Sequence, residues 1–167
     1  MARTMLAAGA LVCALMPAFS GTASAAEVPW QTLARNANVV CLGYDKQLFK
    51  LPGLAALQKV KSQKDMTPAL LKRSGARYFA GELALEREMV RKWSALGTPK
   101  ELAFRVAWAR WLKLWKTVKI PTAVKVAASA KRGDVKGLAA AETALAAHGA
   151  EGKKLEKTLA FAVCQWD

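Results

Sequence analysis

Apolar residues recur at three- and four-residue spacing along most of the chain after Trp30, and runs suited to strands are scarce. The periodicity therefore predicts an all-α fold. A first helix starts near Trp30 and stops before Pro52, with Leu33, Ala37, Val40, Cys41, Tyr44 and Leu48 on one face. Residues 53–66 are lysine-rich and weakly periodic, a linker with a helical turn around residues 54–60. Thr67-Pro68 opens the second helix, a hydroxyl N-cap followed by proline at the first helical position. It runs to Leu96, where Gly97 ends it.

The third helix is expected to start at Thr98-Pro99-Lys100-Glu101, with Thr98 as cap and Glu101 at the acidic position of a capping box. Its seam is Phe104, Trp108, Trp111, Trp115 and Val118, spaced 4, 3, 4, 3 as in core-facing heptads. The same stretch mixes aromatics with basic residues in the manner of a membrane-active peptide, but one narrow seam at core spacing favours burial. Ile120-Pro121 should kink or break the helix, because proline lacks a backbone donor. Helix resumes over 122–131, and Gly133-Asp134 reads as a stop followed by a new N-cap. Beyond it, Leu138, Ala141, Leu145, His148, Gly152, Leu155, Leu159 and Ala162 hold one seam in register. That continuity predicts a single helix over 134–164, bent at its glycines. The sum is an antiparallel bundle of about four main helices.

Residues 1–25 change the picture of where this bundle works. Arg3, an apolar run over residues 5–19 and Ala23-Ser24-Ala25 have the order of a secretory signal peptide with its cleavage site. The mature chain is then 26–167, a single domain that is secreted or periplasmic, with no second apolar run long enough to span a membrane. Cys13 leaves with the signal and lacks the small residue expected before a lipid-anchored cysteine. Cys41 and Cys164 remain, and an even pair in an oxidising compartment reads as a disulfide. Their spacing excludes a C-x-x-C redox motif.

Charge adds a candidate partner. The chain carries +14, or +13 once Arg3 is removed. The basic residues concentrate in 46–77 and 98–137, while 138–167 is slightly acidic. Such a field favours an anionic polymer or lipid surface. Arg105, Arg110, Lys113 and Lys116 are the candidate contacts, flanking the aromatic seam.

The pattern Asn36-Ala37-Asn38-Val39-Val40-Cys41, the Thr98-Pro99 helix start, the Ala-rich stretch ending in Gly133-Asp134 and the late Cys164 resemble small exported helical proteins common in actinobacteria. Many of those are lipoproteins and most lack an assigned activity. The resemblance covers most of the mature chain and implies a helical fold with a cysteine staple, not a function.

The chemistry available is narrow. A single histidine leaves no zinc or two-histidine metal site, and there is no C-x-x-C-H haem attachment, phosphate-binding glycine loop or G-x-S-x-G. The sequence therefore reads as a non-enzyme requiring no cofactor, and a protein partner for a plain exported scaffold is a further alternative. One polar constellation stands out. Glu82 shares a stripe with Leu71, Tyr78, Leu85, Met89 and Leu96, so it points inward at mid-helix. His148 occupies the middle of the last seam and Tyr44 faces in from the first helix. Glu82, His148 and Tyr44 are thus expected to form a polar layer: a structural pair, with Arg77 or Arg87 as other partners for Glu82, or a site for a small ligand such as haem.

Overall fold

The computed structural model describes residues 26–62, 65–164 and Trp166. The signal-peptide reading of residues 1–25 lies outside them. Six helices form among the described residues: α1 (Trp30–Leu48), the single turn α2 (Leu54–Leu57), α3 (68–94), α4 (102–132), α5 (Val135–Ala146) and α6 (Gly149–Thr158). The chain is all-α apart from two two-residue strands, β1 (Glu27–Val28) and β2 (Thr98–Pro99), which pair in parallel.

Local chemistry sets most boundaries. The Thr67 hydroxyl accepts the Leu70 N–H at 3.1 Å and Pro68 opens α3. Gly133 ends α4 in the left-handed conformation at φ 74°, and the Asp134 carboxylate accepts the Gly137 N–H at 2.8 Å to start α5. Both are caps of the expected kind.

Three expectations are corrected. Thr98 does not cap α4, because its backbone is taken by β1: the Thr98 N–H donates to the Ala26 carbonyl at 3.0 Å. The helix starts later, at Leu102, with Glu101 at its N-cap position. Glu101 instead turns to α1 and accepts the Trp30 N–H at 3.0 Å. Pro29 offers that end of α1 no side-chain cap, so a carboxylate from another helix serves both its unpaired N–H and its dipole.

The second correction concerns Pro121, which neither breaks nor ends its helix. The turn before it, Trp115–Lys119, is a π-turn in which the Ile120 N–H reaches the Trp115 carbonyl, and α4 continues as Ile120–Arg132. The wider turn gives the proline ring room and takes up the loss of its donor. A similar π-turn, Leu71–Gly75, lies inside α3.

Third, the single last helix is two helices. Ala147 and His148 leave the ladder between α5 and α6, and helix ends again near Leu159, with Ala160 at φ 47°. His148 stays at φ −99° and ψ 0°, near enough to helical values to preserve the apolar phase across the break. The first turn of α5 serves a second, smaller core, while Leu145 at its other end packs against the main one. Leu138 packs with Leu71 and Ala130, whereas Leu155 and Leu159 join the main core.

That main core is aromatic. Trp93, Trp108, Trp111 and Trp115 are buried, with Trp111 and Trp93 at 0% exposure, and Phe104 packs partly buried at the edge. The seam is a core face, not an exposed membrane face. Cys41 and Cys164 form a disulfide with Cα atoms 5.4 Å apart, joining α1 to the segment after α6 across 123 positions. Closing a loop of that size contributes about 4–5 kcal/mol in the chain-entropy account. No helix among the described residues is long and apolar enough to cross a membrane.

Two substitutions test this packing. Trp111→Ala is expected to cost about 3–5 kcal/mol in urea denaturation, and a cost within experimental error would remove Trp111 from the core. Glu101→Ala is expected to cost about 0.5–2 kcal/mol and to speed amide exchange at Trp30, leaving amides within α4 unchanged. Faster exchange in α4 instead would restore Glu101 as that helix's own cap.

Candidate functional site

Glu82 and Glu86 are one helical turn apart on α3, on the face that also buries Met89, Val90 and Trp93. The buried stripe runs through Glu86 rather than Leu85, and Glu86 is only 2% exposed. Across from them the π-turn of α4 carries the inward register on by a residue, so that Lys119, one position past the seam expected from sequence, comes within reach of α3. Its Nζ lies 4.0 Å from Glu86 Oε1, and 5.6 and 5.9 Å from the ring centres of Trp115 and Trp166. The ammonium is thus held by a buried carboxylate and two indole faces.

Glu82, Glu86, Lys119 and Trp166 line a cleft of about 470 Å³. Phe79 on α3, Ala123 and Val126 on α4, Leu145 and Ala146 on α5, and Trp166 supply apolar wall, with Thr122, Glu142, Gly149 and Lys153 completing it. Trp166 is seated against α6 because Gly152 has no side chain, and a Cβ there would overlap the indole.

The electrostatics are set by burial. Glu86 Oε2 is buried with no hydrogen-bond partner among the described residues. Burial pushes the Glu86 carboxyl up to about 7, with Lys119 opposing and Glu82 adding to the rise. Burial also raises Glu82, against the pull of Lys119 and of the Tyr78 hydroxyl, which donates to Glu82 Oε1 at 3.5 Å. Tyr44 and Tyr78 are both raised, first by burial and then by the Glu82 charge.

The predicted polar layer is assembled only in part. Tyr44 and Glu82 line a second, smaller cavity of about 240 Å³, with Asp45, Lys119 and the disulfide. Glu82 and Lys119 belong to both cavities and stand as a partition between them. His148 lines neither. It sits at the α5–α6 break in a separate cleft with Arg110, Lys113, Thr117 and Glu151. Arg77 and Arg87 are exposed, and the inward partner of the carboxylates is Lys119.

The predicted anion contacts separate likewise. Arg105 clamps the N-terminal strand, donating to Glu27 at 2.8 Å and to the Pro99 and Lys100 carbonyls at 3.0 Å each. Arg110 pairs with Glu151 on α6 at 2.7 Å. Of the four, Arg110 and Lys113 share the His148 cleft, and Lys116 is exposed outside its lining.

Glu86 and Lys119 escaped the sequence reading. Glu86 had a readable signal, since it lies one turn from Glu82. Lys119 had only an indirect one: a proline two residues later within an unbroken apolar pattern implies a local irregularity upstream.

Comparison with protein-family models, with curated proteins and with solved structures finds no match.

The raised Glu86 carboxyl has a stability consequence. The folded protein binds its proton more tightly than the unfolded chain, whose carboxyl titrates near 4.5. Its contribution is therefore most favourable below that value and is lost as pH rises to about 7. Glu86→Gln is expected to flatten this fall and to gain most on the native chain at pH 8, as read from urea midpoints at pH 5 and pH 8. Parallel profiles for the two proteins would show that Glu86 is ionised throughout.

Proposed function

We propose that this chain is an exported, non-enzymatic helical protein that binds a small, mostly apolar molecule in the 470 Å³ cleft, with the molecule's polar head at Glu86. The observation that carries the reading is Glu86 in the lining of a largely apolar cleft, its buried Oε2 without a hydrogen-bond partner among the described residues. A buried acceptor without a donor costs about 1–3 kcal/mol, which a ligand's N–H or O–H would recover. The cleft volume falls within the range of small-molecule sites. Export rests on the signal-like order of residues 1–25, and the disulfide is in keeping with an oxidising compartment.

A second reading, binding of an anionic surface, is favoured by one grouping: Arg110, Lys113 and His148 share a cleft. It takes second place because Arg105 and Arg110 are already committed to carboxylates. Salt-sensitive retention on heparin, weakened by Lys113→Glu, would bring it forward.

The cleft reading is tested with the neutral solvatochromic dye Nile red. Its emission is expected to rise and shift to the blue with the native protein. Ala123→Phe, which fills the cleft from α4, should weaken binding at least tenfold while helical circular dichroism is retained. Undiminished binding to that variant would place the dye elsewhere and end the reading.

A further inference from the structure

Resting on the cleft reading, we infer that the ligand is an organic cation: an apolar body carrying a protonated amine that sits between Glu82 and Glu86. The charge arrangement carries this. Two carboxylates on successive turns of α3 face a single ammonium, Lys119, and the Lys119–Glu86 separation of 4.0 Å is too long for a hydrogen bond. Glu86 Oε2 remains without a donor among the described residues although its side chain is only 3% exposed. Among the described residues, Glu82, Glu86 and Glu142 line the cleft against Lys119 and Lys153, an excess of one negative charge when all are ionised.

The neighbouring surfaces already accept an ammonium. Lys119 lies over Trp115 and Trp166, and Trp166 is also cleft wall. A second ammonium entering along that wall meets indole on one side and carboxylate on the other. An anionic head would be buried beside two carboxylates, at high cost. A neutral head supplies a donor but leaves the excess charge.

The net positive exterior opposes a cation only at a distance. Its field is screened over about 8 Å at physiological salt, whereas a charge pair inside the cleft is screened far less.

A proton currently answers the excess charge. With the Glu86 carboxyl pushed up to about 7, near neutrality it is in part protonated. Entry of an ammonium favours the carboxylate, so the proton passes to the buffer as the amine binds. The charged and titratable groups around Glu86 are Glu82 and Tyr78 on its own helix, Tyr44 on α1 and Lys119 on α4. Glu142 and Lys153 lie further along the same cleft. None of these groups is a histidine, and burial raises the carboxyls of Glu82, Glu86 and Glu142 alike, so the Glu86→Gln variant identifies the proton lost.

Three probes on one skeleton test the inference by calorimetry: 4-phenylbutylamine, 4-phenylbutan-1-ol and 4-phenylbutyrate. At pH 7 the amine is expected to bind at least tenfold tighter than the alcohol, and the butyrate most weakly. Amine binding should release protons, seen as a heat that varies with the buffer's ionisation enthalpy, and should tighten from pH 6 to pH 8; alcohol binding should do neither. Glu86→Gln should bring the amine-to-alcohol ratio toward one. If that variant fails to fold, proton release by the native protein decides alone. Equal affinities for amine and alcohol, or tightest binding of butyrate, would overturn the cation while leaving the cleft reading intact. Failure of all three probes together with Nile red would overturn both.

Discussion

Trp93 is the side chain around which the other helices are arranged. It is fully buried on α3 and meets Trp108, Trp111 and Trp115 of α4 at ring-centre distances of 6.3, 5.9 and 5.1 Å. Its indole N–H donates to the Ala37 carbonyl of α1 at 3.4 Å. One residue therefore fixes three helices to one another, by area and by ring orientation more than by polar bonds. Trp111 and Trp115 pass the contact on to Trp166 at 5.9 and 5.7 Å, and so to the segment secured by the disulfide. Glu86 lies at the border of this aromatic mass, where water is excluded on one side and the cleft opens on the other. Its raised carboxyl follows from that position.

What could be read from the sequence was whatever local chemistry decides. Thr67-Pro68, Gly133-Asp134 and the Trp108–Trp111–Trp115 spacing act within a few residues and were legible. The disulfide was legible because setting Cys13 aside with the expected signal segment leaves Cys41 and Cys164 as one pair. Thr98 and Glu101 misled because their local cap pattern competes with long-range partners: β1 takes the Thr98 backbone and α1 takes the Glu101 carboxylate. Periodicity also overreached past Asp134, since two near-helical residues preserve phase while ending the ladder.

The candidate site was half visible for the same reason. Glu82 could be placed inside from its stripe, and Tyr44 from its own, and both line one cavity. His148 was misplaced because the mid-height argument assumed one continuous helix. Lys119 depends on an extra residue in the π-turn ahead of Pro121, a register change that no fixed 3.6-residue period contains. Irregular helix geometry thus decides which charge faces the two glutamates.

The position of Trp166 gives the molecule an order of assembly. Glu82 and Glu86 are synthesised first, Lys119 next, and the α5–α6 wall after them; the indole that closes the cleft and covers Lys119 follows Cys164 by two residues. A chain leaving the ribosome N-terminus first can gather its other five core tryptophans before the α5–α6 wall exists. Until Trp166 emerges and settles on Gly152, the carboxylate pair stays open to water. The cleft is therefore the last feature to mature, and a chain released before its final residues would gather the other aromatic rings yet leave this wall unbuilt.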